Sequence, residues 1–181
     1  ITGIVLITVT VSVVLFWMAR EQNEQAKVAT YTMVSGGLIA TNEQAKSLAN
    51  DYGWWEEHYD AYVADDIEWL EENIGASVYE TEIADIVAIV APEGEMKHGW
   101  IAEDYGVTAV DVLSPDIVRG IFQLAEGMPV ESLVARSAYI TVYAQAVLFA
   151  VSRVTPISRV DEIDPATRPY FVVGFFLTEE L

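Results

Sequence analysis

The side chains best equipped for chemistry crowd into DYGWWEEHYDAY, residues 51–62, with two tryptophans, three tyrosines, four acids and one histidine. Glu56 and Glu57 are neighbours in sequence. On a helix they diverge by about 100° and cannot face each other across a substrate as a hydrolytic carboxylate pair must. His58 and His98 are the two histidines of the chain. His58 could share a metal with Glu57 or Asp60 only through strained local geometry, and the His-Glu-x-x-His spacing of zinc hydrolases is missing. No glycine-rich phosphate loop or serine nucleophile elbow occurs. With no cysteine there is no thiolate nucleophile or ligand. The expectation is a segment with no catalytic residue, no metal and no cofactor. The aromatics suggest packing instead: Tyr52, Trp55, Tyr59 and Tyr62 follow at steps of 3, 4 and 3, the period of one helix face.

The elements that must carry this motif follow from composition and periodicity. The 181 residues are 52% hydrophobic, enough for one well-cored domain and an additional element. Nine basic residues against 28 acidic ones give a net charge of -19, which argues against a nucleic-acid partner. Residues 1–19, ITGIVLITVTVSVVLFWMA, carry no charge and stop at Arg20, with Trp17 just inside the boundary. At about 1.5 Å per residue such a helix nearly spans a hydrocarbon core of roughly 30 Å, so a membrane helix is expected there. From Arg20 to about Asn73 a helical register persists. Tyr31, Val34, Leu38, Thr41, Ala45, Leu48, Tyr52, Trp55, Tyr59 and Tyr62 form one face over about nine turns. Gly36 and Gly37 are expected to soften or kink this helix without ending it. A short second helix, DDIEWLEENIG, should stop at Gly75. Residues 20–75 thus read as a stalk helix plus a short second helix. Its half from Leu48 to Tyr62 should pack on the protein's own sheet, and Val28, Tyr31, Val34 and Leu38 should pair with a second copy as a homodimer.

Residues 76–181 change to strand-forming patterns. IADIVAIV (83–90), the turn PEGE (92–95) and MKHGWI (96–101) predict a hairpin. Ser114 and Pro115 open a helix that should end at Gly127. LVARSAYITVY (133–143), AVLFAVSRVTPI (146–157) and YFVVGFFL (170–177) supply three more strands. The fold class is α+β, with a PAS-like five-stranded antiparallel sheet and flanking helices behind the membrane and stalk helix.

DYGWWEEHYDAYV, EWLEENIG, DIVAIVAPEGE, AVSRVTPI and YFVVGFFL together resemble the fourth CHASE family of extracytoplasmic sensor domains, over roughly residues 25–178. Tyr52, Trp55, Glu56, Glu57 and Tyr59 match that family's aromatic and acidic motif, with glutamates where aspartates are commoner. The resemblance implies a Cache/PAS-like domain between two membrane helices, on the periplasmic or extracellular side of the inner membrane. It would sense a small molecule and feed a cytoplasmic cyclic-di-GMP enzyme or histidine kinase outside these residues. A membrane-anchored, non-signalling docking module is the alternative. The segment itself is expected not to be an enzyme. If the stalk covers one sheet face, the ligand should use the other, beneath the helix from Ser114. Ser137, Tyr139 and Thr141 alternate on one side of their strand. A turn at Ala144 and Gln145 would set Arg136 against Arg153, so a register shifted by one residue is preferred, putting Arg153 on the Tyr139 side. There Arg153 would clamp an anion such as a carboxylate, with Trp100 or Tyr105 closing over it.

Overall fold

A computed structural model describes residues 2–81, 83–102, 108–129 and 133–177, and the side chains of these except 2–14, 110 and 111. Helix α1 (Thr2–Gly53) is continuous for 52 residues, so Gly36 and Gly37 do not end it. The chain divides into two compact units, Ile1–Ala40 and Thr41–Leu181. The first is the N-terminal part of α1. Among the described residues no helix is long and apolar enough to cross a membrane. Most side chains of the apolar run 1–19 lie outside those described.

The helical register does not continue unbroken to Asn73. At Gly53 the chain meets the sheet: the Thr155 amide donates to the Gly53 carbonyl at 2.6 Å. A Cβ at Gly53 would lie 2.7 Å from Ser152 Oγ, so only glycine lets the helix end approach this closely. Trp55 then stands, extended and without a side-chain capping bond, at the N-cap position of α2 (Glu56–Ala64), which stops at Asp65 in the left-handed conformation (φ 53°). Asp66 opens α3 (Ile67–Leu70), its carboxylate accepting from the Trp69 amide at 3.1 Å. Gly75 is no stop either. A π-turn, Glu71–Gly75, leads directly into α4 (Ala76–Tyr79).

The sheet comprises β1 (Ile86–Val90), β2 (Met96–Ile101), β3 (Arg136–Val142), β4 (Gln145–Arg153) and β5 (Tyr170–Phe176), with α5 (Ala109–Val112) and α6 (Pro115–Glu126) between β2 and β3. Its order is β2-β1-β5-β4-β3 and every pairing is antiparallel. The three central strands are apolar almost throughout because both faces are covered. On one face Ile86, Phe149, Val151 and Val172 cluster with Val118, Ile121 and Ala125 of α6. On the other, Val87, Leu148, Phe171 and Val173 cluster with Ala45 and Ala49 of α1 and with Leu70, Ile74 and Val78. Leu48, Tyr52, Trp55, Tyr59 and Tyr62 pack against this second cluster, as the stripe predicts. Although Ser114 stands at the N-cap of α6 with Pro115 after it, its side chain makes no capping bond.

Candidate ligand site

The aromatic motif is turned inward. Tyr52 stacks on Phe171 with centroids 5.3 Å apart, and Trp55 meets Tyr52 and Trp69 edge-on at 6.0 and 5.0 Å. His58 is fully buried beneath it. Its Nδ1 lies 2.9 Å from the Tyr52 carbonyl. A carbonyl only accepts, so Nδ1 carries the proton and Nε2 is left unprotonated. Nε2 has no partner among the described residues. Desolvation pushes the His58 pKa down to about 4, against a smaller opposing effect of the Tyr52 carbonyl. The imidazole is therefore neutral and structural at ordinary pH. Among the described residues no group of three or more His, Asp or Glu side chains could hold a metal ion.

The motif's two adjacent glutamates have separate fates. Glu57 is exposed. Glu56 receives the segment that links β4 to β5: Arg159 Nε donates to its Oε1 at 2.8 Å, and Ser158 Oγ donates to the same oxygen. Arg159 Nη2 also reaches Asp60 Oδ1 at 2.7 Å. Hydrogen bonds from Ser158 and then Arg159 hold the Glu56 carboxyl below its ordinary pKa. The acidic face of α2 is thus an attachment point for residues 157–159.

The expected ligand residues do not converge. Trp100 faces the α1–α4 layer, where its Nε1 donates to a Glu71 carboxylate oxygen at 2.5 Å. Ser137, Tyr139 and Thr141 pair with Ala150, Leu148 and Ala146, which places them on that same face. Ser137 Oγ donates to Asn42 Oδ1 at 2.6 Å, while Tyr139 and Thr141 are exposed on the edge strand. Tyr105 lies outside the described residues.

Of the expected ligand residues that are described, Arg153 alone projects to the α6 side, and the preferred register is corrected. The turn is Tyr143–Ala144, with φ 48° and 67°, and Arg136 pairs with Val151. Both turn residues are left-handed, as a two-residue hairpin turn matched to strand twist requires. Arg153 therefore opposes neither Arg136 nor the Tyr139 side. The alternation of β4 could not decide this, because both of its faces are buried.

Arg153 nonetheless marks a distinctive place. It pairs with Tyr170 at the end of β4, its guanidinium lies 4.8 Å from the Tyr170 ring centroid, and its Nη1 donates to the Pro165 carbonyl at 3.1 Å. Beside it, Arg168 Nη2 donates to the carbonyls of Val160 and Ile163 at 2.6 and 2.7 Å. Burial first, and the charge of Arg153 second, push the Arg168 pKa down. Arg168, Leu133, Val160, Ile163 and Pro165 line a cavity of about 440 Å³ whose wall also includes Asp161 and Asp164. A second cavity, of about 470 Å³, lies between the β1–β2 turn and α6, against Met96, Leu113, Val118 and Phe122. Ser158, Arg159 and Arg168 were not among the expected site residues. The available signal was crowding: Arg153, Arg159 and Arg168 are three of only nine basic residues, within one short segment.

An antiparallel sheet with a helical layer on each face, following a long N-terminal helix and bearing a cavity at the β4–β5 connection, defines an α+β domain. Residues 38–181 match the CHASE4 domain, and the chain belongs to that family. The match begins within α1, somewhat later than the resemblance from about residue 25 suggested. CHASE4 is a family of sensor domains, extracytoplasmic in setting, and not a family of enzymes. No curated protein matches the chain.

Proposed function

We propose that this chain is the ligand-sensing input domain of a membrane-bound signalling protein, with residues 1–19 crossing the inner membrane and the sheet domain on its periplasmic or extracellular side. A cytoplasmic output domain, a cyclic-di-GMP enzyme or a histidine kinase, would receive the signal. The observation that carries the reading is the attachment of the cavity-bearing segment to α2. Residues from Val160 to Arg168 supply most of the cavity lining, and just before them Ser158 and Arg159 grip Glu56 and Asp60 on the helix that directly follows α1. A change in that segment therefore acts on the end of the stalk. The strand order and long N-terminal helix support the same reading, since PAS-like sensors hang such a sheet on such a helix.

Two measurements in cells carrying the whole protein test it. A cysteine at Glu93, on the exposed β1–β2 turn, should react with a membrane-impermeant maleimide, and protection there overturns the topology. Arg159→Ala should change the basal level of cyclic-di-GMP or of autophosphorylation at unchanged protein abundance. An output indifferent to that substitution favours the docking-module alternative.

A further inference from the structure

We propose that Arg153 and Arg168 are the recognition site for a small molecule bearing one carboxylate, and that Asp161 and Asp164 select a ligand that also carries a positive charge, as an amino acid does. This rests on the sensing function above and names its ligand class.

The starting point is an electrostatic imbalance. Among the described residues, the permanently charged side chains buried in this protein are two arginines, Arg153 at 6% and Arg168 at 2% exposure. They stand close enough for one to depress the pKa of the other. No described carboxylate lies within 4 Å of either, although the chain has 28 acids for nine bases. The Nε atoms of both are buried without a hydrogen-bond partner. Two like charges out of water, with donors left over, are costly to hold unless an anion completes the arrangement. A guanidinium presents donors in a planar fork that fits a carboxylate in particular.

The cavity next to them fits the remainder of such a ligand. Arg168 lines it directly, and Arg153 reaches its wall through the Pro165 carbonyl. Leu133, Val160, Ile163 and Pro165 supply apolar surface for a short hydrocarbon body. Asp161 and Asp164 share the same wall, exposed and beyond ion-pair distance of the guanidiniums. Two carboxylates there repel a second negative charge on the ligand and attract a positive one. At about 440 Å³ the space suits a small molecule and not a peptide. An anion between the arginines relieves their repulsion and draws residues 160–168 inward, and Arg159 at the head of that segment passes the movement to Glu56 and Asp60.

The test uses the 181-residue chain in neutral maltoside micelles at fixed ionic strength, titrated calorimetrically with the common amino acids, acetate, succinate and inorganic phosphate. At least one amino acid should bind saturably and raise the unfolding temperature, with acetate weaker and succinate and phosphate weaker still. Arg168→Met should weaken that binding roughly 30-fold or more. Because Arg168 also ties down two carbonyls, that variant is paired with Asp161→Asn, an exposed change that leaves the fold alone and should narrow or reverse the preference for the amino acid over succinate. Absence of binding across the panel, a preference for succinate or phosphate, or an unaltered preference in Asp161→Asn overturns the proposal. Binding of an amino acid that ignores Arg168→Met would also overturn it, yet leave the sensing function standing, which the output of Arg159→Ala judges separately.

Discussion

His58 shows how a motif residue with chemical potential is spent on packing. It lies edge-on to Phe171 at 5.6 Å and ties α2 to the end of α1 through the Tyr52 carbonyl. With its pKa pushed down to about 4 from an ordinary 6.5, the unfolded chain takes up a proton in a pH range where the folded one does not. Stability associated with His58 is therefore fully present above pH 6.5 and drains away as pH falls from 6.5 towards 4. The whole shift corresponds to about 3 kcal/mol. Urea unfolding at pH 7, 5.5 and 4.5 should show this loss in the wild type and a flatter profile in His58→Leu. Parallel profiles would assign the acid sensitivity to other groups. The hairpin turn offers a second residue-scale expectation. Ala144 is held at φ 67°, where a Cβ is unfavourable, so Ala144→Gly should be neutral to stabilising by roughly 0.5–1 kcal/mol in the same assay.

Among the elements, the short helical pieces from α2 to α4 matter through what they are pressed against. The π-turn at Glu71–Gly75 sits on Trp100, and a Cβ on Gly75 would lie 2.9 Å from the indole Nε1. The ring is buried and cannot simply swing aside, so the glycine here is a requirement of contact rather than a helix terminator. Gly75→Ala should push the indole away from Glu71 and cost about 1–3 kcal/mol, the usual range for an overpacked core. Tryptophan emission from the folded protein should shift with it. Unchanged stability and emission would mean that the contact relaxes without strain. The β4–β5 connection is the element with functional reach, because one short segment supplies the cavity wall, the hydrogen bonds to both buried arginines and the grip on α2.

At the scale of the whole molecule, the N-terminal part of α1 carries an exposed apolar stripe. Val28, Tyr31 and Val34 are exposed at 65%, 77% and 47%, on the part of α1 before Ala40. We propose that this stripe pairs with a second copy of the chain. Single cysteines replacing Tyr31 or Val34 should form disulfide-linked dimers in membranes, while one replacing Ala26 or Ala29, exposed on the opposite side of the helix, should crosslink less. Equal crosslinking all round the helix would remove the stripe as an interface. The sequence by itself determined the α+β class, the long first helix, the inward aromatic face from Leu48 to Tyr62 and the five strands, because each rests on local periodicity that survives whatever packs nearby. The family motif was legible for the same reason, being contiguous. Where helices break was not legible: the chain breaks at Gly53 and runs on through Gly75, each glycine fixed by a contact distant in sequence, with Ser152 and Trp100. The face on which Arg153 emerges was also beyond reach, since a strand buried on both sides has no polar alternation to fix its register. Only the tertiary structure put Arg153 beside Arg168 and Arg159 against Glu56, because which charges meet is decided by the packing of segments far apart in sequence.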